Sequence, residues 1–439
     1  MATIGIDAHK NFAEVAILEP GRPVRHRRIG TTPAELKAFV EGLGPQDQVV
    51  LEASFNTWAL ADLLQQHAGR VVVSNPMRTK AIASAKIKTD KVDAQVLAQL
   101  LAADFIAEVW VPDPTLRALR RRVSQRSALI HQQTALRNRV HAVLNRNLLD
   151  CPATDLFGKA GRQWLSKAPL PPEERQQVES ALRLLAVLEA EIEAVERPLA
   201  ETALGDARVL HLMTIPGVGL VTALAIVGVI GDVRRFPRPN QLVGYLGLDP
   251  CVRQSGERAA RTGHISRQGQ GHARGLLIEA AHSAVRTPGP LRAFHERIRS
   301  RRSRQIALVA VARKLAVLAW HLLHDDTDYR WASVTLTAGK LRQVERKAGQ
   351  PIQQAPRSPA RGQTTRREQE RRLQLQAEEA YRAMVAARHA EMNAAASNGE
   401  RLAGSRPDAR RRSHPQPPLL STRVDRVPPQ PSPAPHASA

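Results

Sequence analysis

Thr3-Ile4-Gly5-Ile6-Asp7, at the start of the chain, is a short apolar run that ends in an acid. A run of this length and type reads as a strand, which leaves the Asp7 carboxylate at the strand's end. The pattern returns at Val49-Val50-Leu51-Glu52. Asp90 and Asp93 lie three residues apart at the start of an apolar-periodic helix, so both point from one face. Two acids at strand ends beside a helix-borne pair form an oxygen-rich cluster suited to Mg²⁺ or Mn²⁺. Left unneutralised, such a cluster repels itself and raises its own pKa values; bound cations reverse this. The plainer account is four unrelated surface acids, and topology decides between the two.

Residues 3–7, 13–18 and 24–29 read as three successive strands, the last two joined at Pro20-Gly21. A helix begins near Thr32, with Pro33 at its first position and Glu35 three residues after the cap. Strand 48–52, helix 57–67, strand 71–74, helix 77–86 and helix 89–102 follow. Three strands and then alternating helix and strand is the ribonuclease-H-like order. In that fold the first strand, the fourth strand and a late helix converge, and those elements carry Asp7, Glu52, Asp90 and Asp93.

The 439 residues are enough for two or three domains. The formal net charge is +23, of which +10 lies in residues 340–439 and +13 in residues 1–339. An excess spread over the body as well as the tail points to a polyanionic partner. Cys151 and Cys251 are too few for a disulfide framework and show no metal spacing, which fits a reducing cytosol. Asp7, His9 and Lys10 interrupt the N-terminus, which does not read as a secretory signal. The uncharged run 212–231 is broken by Pro216, Gly217 and Gly219, too soon for a membrane span.

Residues 115–149 read as a long helix with eight Arg and no acid between Arg117 and Leu149. A second helix, about 173–197, repeats apolar residues at a spacing near 3.5. Both suit the core of a bundle or an elongated helical arm with a dimer seam. Residues 205–330 read as a mainly helical domain. It opens with Ile215-Pro216-Gly217-Val218-Gly219, either a helix-start turn or a phosphate-approaching turn of helix-hairpin-helix type. A loop rich in Arg and Gly runs from Arg253-Gln254-Ser255-Gly256-Glu257-Arg258 through Arg261, His264, Ser266 and Arg267 to a helix near 272–286. Its many donors suit a phosphodiester backbone. Beyond about 340 the periodicity decays. Residues 362–396 suit one charged helix, and the eight Pro from Pro415 onward read as disorder.

Several of these motifs together resemble a known family. Ile4-Gly5-Ile6-Asp7-Ala8-His9-Lys10, Leu51-Glu52-Ala53-Ser54 and Lys88-Thr89-Asp90-Lys91-Val92-Asp93-Ala94 resemble the first domain of the DEDD transposases of the "IS one-ten" insertion-sequence family. Ile215-Pro216-Gly217-Val218-Gly219, Tyr245-Leu246-Gly247-Leu248, Gln254-Ser255-Gly256 and Gly263-His264-Ile265-Ser266-Arg267-Gln268-Gly269 resemble its second. The likeness runs over about residues 1–325. It departs from the pattern in a longer tail and in a single Ser-Gly where relatives often have a serine pair.

The resemblance implies a RuvC-like α/β domain at 1–110, a helical linker at 111–204 and a mainly α transposase domain at 205–330; composition adds a basic, Pro-rich, largely disordered tail at 331–439. It also implies Mg²⁺ or Mn²⁺ on Asp7, Glu52, Asp90 and Asp93, and a nucleophilic Ser255 brought to the cluster of a partner subunit in a homodimer or homotetramer. The expected partners are DNA and a noncoding guide RNA, in a cytoplasmic, nucleoid-associated enzyme. Arg117, Arg121, Arg122, Arg126, Arg253, Arg258 and Arg267 are the expected phosphate contacts. A structure-selective nuclease such as a junction resolvase would use the same carboxylates with water and would not need Ser255. An actin-like sugar kinase would need a Gly/Thr phosphate turn after Asp7, where Ala8-His9-Lys10-Asn11 stands. A catalytically dead DNA-binding relative would not need all four acids and the serine.

Overall fold

The computed structural model of the chain describes residues 1–83, 89–256, 258–351 and 360–403. It divides into two compact units, Met1–Arg117 and Ala118–Ala439. The expected helix end at 84–86, Lys88, Glu257 and the Pro-rich end from Pro415 lie outside the described residues.

In the first unit the elements are β1 (Thr3–Ala8), β2 (Phe12–Leu18), β3 (Arg25–Gly30), α1 (Pro33–Val40), β4 (Gln48–Glu52), α2 (Thr57–Leu64), β5 (Arg70–Ser74), α3 (Pro76–Ile82) and α4 (Asp90–Ala102). The strands form one sheet in the order β3-β2-β1-β4-β5. The first three are antiparallel meander strands, and β4 and β5 run parallel to β1 after helical crossovers. This is the expected succession of elements. Pro33 opens α1, and the Thr32 side chain accepts from the Glu35 backbone N–H, as a capping residue should.

Each strand face has its own cover. Ile4, Ile6, Val49, Leu51 and Val73 pack with Phe39, Val40, Leu60 and Leu64 on the α1–α2 side. Val50 and Val72 point the other way, against Leu97 and Leu101 of α4. The edges differ as well. Strand β3 exposes Arg25, His26, Arg27 and Arg28. Along β5, residues 107–109 lie against the open side: Asn75 N donates to Ala107 O at 2.9 Å and Val109 N to Val73 O at 2.7 Å.

The second unit is mostly helical. Its elements are α5 (Pro114–Arg146, whose first four residues belong to the first unit), α6 (Lys159–Leu165), α7 (Pro172–Leu204), α8 (Ala207–Met213), α9 (Leu220–Ile230), α10 (Pro239–Tyr245), β6 (Pro250–Arg253), β7 (Arg261–Ile265), α11 (Gly271–Ala284), α12 (Pro290–Arg299), α13 (Arg304–Asp325), α14 (Val334–Lys347) and α15 (Ala360–Ala403). Val123 of α5 and Leu199, Ala200 and Ala203 of α7 join the large core built on α8–α13. The far halves of the same two helices, with Leu136, Val140 and Leu144 facing Val178, Ala181 and Leu185, close a separate core around Leu165 of α6. The two long helices therefore run antiparallel and form an intramolecular hairpin. One half of the pair thus joins the large bundle core, and the other closes a core of its own.

Three features differ from the sequence reading. The loop after Arg253 is framed by a two-stranded hairpin, β6–β7. Residues 334–347, assigned to a largely disordered tail, are helical and bury Val344. Among the described residues α13, which the sequence reading did not single out, is long and apolar enough to cross a membrane, whereas 212–231 is too broken for that, as expected. Val311, Leu315, Ala316 and Ala319 of α13 lie in the core of its own unit.

Candidate functional site

The register of β1 on β4 pairs Ile6 with Leu51, so Asp7 and Glu52 occupy the next positions on neighbouring parallel strands. Side chains alternate along a strand, so Asp7 shares the face of Gly5, and Glu52 that of Val50. That face is the one α4 covers. Gly5 shows how closely: a β-carbon there would stand 2.0 Å from Ala94 O and 2.7 Å from Ala98 N. Only glycine lets α4 lie this low, and the low seat brings the helix's first turn to the strand ends. Thr89 caps α4 by accepting from Val92 N at 3.3 Å. Asp90 and Asp93 follow at the positive end of the helix dipole, where carboxylates are favoured.

Asp7, His9 and Asp90 converge, each offering one ligand atom within 4.8 Å of the others. His9 Nε2 lies 3.4 Å from Asp7 Oδ2 and 3.3 Å from Asp90 Oδ2. Burial raises the Asp7 pKa above the usual carboxylate value, His9 opposes the rise, and the charges of Asp90 and Asp93 add to it. Asp93 is thus near enough to act on Asp7, and Glu52 stands half-buried beside it in register. Cross-strand from Asp7 is Glu14, which is buried and paired with Arg28 Nε at 2.5 Å. A self-repelling, oxygen-rich pocket with a buried imidazole nitrogen that lacks a well-aligned hydrogen bond fits a divalent cation.

The serine motif lies in the second unit. Ser255 is exposed in the loop between β6 and β7 and makes no hydrogen bond among the described residues. Gly256 beside it has φ +59°, the left-handed region that favours glycine. Ser266, by contrast, is anchored. Its Oγ donates to Asp249 Oδ1 at 2.7 Å and its N to Asp249 O at 2.8 Å. Arg267 follows at φ +56°, a conformation that costs roughly 1–2 kcal/mol for a residue with a side chain. Its N–H donates to Gly247 O at 3.2 Å.

The turn at Ile215-Pro216-Gly217-Val218-Gly219 is locked from two sides. At Gly217, φ +83°, a β-carbon would stand 2.2 Å from Ala280 O of α11. Lys340 of α14 donates from Nζ to Met213 O (2.6 Å), Ile215 O (2.8 Å) and Val218 O (2.9 Å). Close packing accounts for Gly217 in this turn.

The seven arginines expected at phosphates divide. Arg117 is only 6% exposed and forks both oxygens of Asp62 at 2.8 Å. Arg126 pairs with Glu196 at 2.8 Å, which also takes Lys347. Arg117 is thereby committed inside the protein, which corrects its assignment as a nucleic-acid contact, and the partly exposed Arg126 is engaged by Glu196. Arg121, Arg122, Arg253, Arg258 and Arg267 are exposed and form no ion pair among the described residues. The sequence reading missed His9, Asp249 and Lys340 as site-building residues. Only His9 had a local signal, an acid–x–histidine step just beyond a strand.

Two family models match the chain. A DEDD transposase model of the IS110 type covers residues 4–147, and one described as the transposase IS116/IS110/IS902 family covers residues 210–296. A probable family 20 transposase of Pseudomonas aeruginosa is 28% identical over 341 residues, spanning 75% of this chain and 99% of its own length. The transposase for insertion sequence element IS1328 of Yersinia enterocolitica is 24% identical over 332 residues, 72% of this chain and 95% of its own. That for element IS1111A of Coxiella burnetii is 28% identical over 259 residues, 55% of this chain and 68% of its own.

Proposed function

Because the chain belongs to the IS110/IS116 family of DEDD insertion-sequence transposases, we propose that it excises and inserts its element by metal-assisted cleavage and serine-linked rejoining of DNA strands. The observation that carries this reading is the convergence of Asp7, His9 and Asp90 on the α4 face, with Glu52 in register beside Asp7. The sheet order, three meander strands followed by two parallel crossover strands, supports a ribonuclease-H-like nuclease core.

Asp7, Glu52, Asp90 and Asp93 would hold Mg²⁺ or Mn²⁺. Bound there, the cation supplies charge neutralisation at the scissile phosphate and lowers the barrier to an in-line displacement. Ser255 Oγ attacks phosphorus, a phosphoserine bond forms, the bond to the leaving sugar oxygen breaks, and that oxygen leaves as a hydroxyl. One phosphodiester replaces another, so rejoining needs no ATP. An exposed hydroxyl beside Gly256 can approach a backbone phosphate closely. The anchored Ser266 has already spent its proton on Asp249. Arg121, Arg122, Arg253, Arg258 and Arg267 supply phosphate contacts that position without reading sequence. The resemblance further assigns serine and carboxylates to different copies in a homodimer or homotetramer, and target choice to a noncoding RNA from the element's ends.

The test is denaturing electrophoresis of enzyme, labelled donor DNA, element-end RNA and Mg²⁺ or Mn²⁺. A slowed protein–DNA band is expected from wild type and from neither Ser255→Ala nor Asp7→Ala, with DNA affinity kept by both. Cleaved DNA without any adduct would replace the serine route by water attack.

A further inference from the structure

His9 is the residue at the carboxylate cluster with no role so far. Its Nε2 is buried and faces one oxygen each of Asp7 and Asp90, yet forms no well-aligned hydrogen bond to either. The ring does not hang free. Its N–H backbone donates to Phe12 O at 2.8 Å, and the ring packs on Phe12 with centroids 4.8 Å apart. Backbone and neighbour together aim Nε2 at the space between the carboxylates. We propose that His9 Nε2 is a direct ligand in this centre, making it a mixed nitrogen–oxygen site that takes a transition-metal dication of the Mn²⁺ type in preference to Mg²⁺. The inference rests on the metal-assisted reading above and specifies which class of cation the chain selects.

The chemistry follows from the donors. Mg²⁺ demands oxygen ligands and keeps several of its waters. An imidazole nitrogen adds little for Mg²⁺ but binds first-row transition dications increasingly well along the series from Mn²⁺ to Cu²⁺. For Nε2 to ligate, the ring proton must sit on Nδ1. The rival role is a counter-cation that neutralises Asp7 and Asp90 until metal displaces it. The two roles have opposite consequences when the ring is removed. A lost ligand weakens transition-metal binding selectively, whereas a lost counter-cation strengthens binding of every dication.

Calorimetric titration of the full chain with Mn²⁺ and with Mg²⁺, and pulsed electron paramagnetic resonance of the Mn²⁺ form, separate these roles. Wild type is expected to bind Mn²⁺ roughly tenfold or more tightly than Mg²⁺ and to show nitrogen modulation of the Mn²⁺ signal. His9→Ala and His9→Gln should lose about tenfold in Mn²⁺ affinity, keep Mg²⁺ affinity within about twofold and lose the nitrogen modulation. Equal or tighter binding of both ions in these variants, or nitrogen modulation that persists, overturns the assignment of His9 and leaves the carboxylate site standing. Asp7→Ala serves as the control: if it binds both ions as wild type does, the metal-assisted reading itself fails.

Discussion

A carboxylate half-withdrawn from water and faced by two others is held charged against its own environment. Asp7, 13% exposed and acted on by Asp90 and Asp93, is such a group. Its raised pKa means the native state keeps this proton above the ordinary value of 3.8. By linkage, the favourable contribution of the protonated form is present at low pH and lost as pH rises through the folded pKa. In metal-free protein at pH 7, Asp7→Asn should therefore raise the melting temperature, by about 4 °C for each kcal/mol relieved in a unit this size. The variant should gain nothing further from added Mn²⁺, whereas wild type should. Thermal melts in chelator and in Mn²⁺ check both halves; a variant that melts below wild type in chelator contradicts the strain argument. The position of Asp7 is legible from sequence because strand ends are local events. His9 carries only the hint of its acid–x–histidine step, because one of its two partners, Asp90, lies eighty-one positions away and arrives only through the seat of α4 over Gly5. Arg117 misleads for the same reason. On a helix with eight arginines and no acid, nothing local marks which one meets Asp62.

At the scale of elements, strong periodicity and caps carry across well. Thr32, Pro33 and Glu35 locate the start of α1, and α5 and α7 match their apolar repeats. The hairpin β6–β7 gives no such signal: most of its residues are exposed, so no alternation of apolar and polar positions was required of them. Helix α14 was equally hidden, since its contribution is two lysines and one valine rather than a stripe. Lys340 nevertheless satisfies three carbonyls of the turn between α8 and α9, each on a buried residue. Lys340→Met keeps most of the stem volume and leaves those carbonyls unpaired, a loss of about 2–3 kcal/mol. Urea unfolding should show a lower midpoint at unchanged slope, with hydrogen exchange quickened in residues 213–220. A midpoint equal to wild type would mean that water replaces the ammonium without cost.

Over the whole molecule, the boundary between body and tail falls later than composition suggests. Val344 is buried, Lys347 completes the pair of Glu196 with Arg126, and on α15 the 2%-exposed Glu378 accepts from Gly289 N and Arg292. Truncation after Gln350 should leave a folded second unit that melts a few degrees lower, with DNA binding only modestly weakened. Truncation after Gly339 should yield insoluble or unfolded protein; a cooperative melt from the shorter chain would count against the role given to α14. A last consequence concerns how copies of this chain can meet. Joining two α/β units by running their outer strands together is the simplest route to a shared sheet, and here both sides deny it. Four consecutive basic residues line β3, so two such strands side by side would set like charges against one another, and β5 already has residues 107–109 along its flank. Self-association is thereby steered to helical surfaces, and newly made chains are guarded against sticking together sheet to sheet.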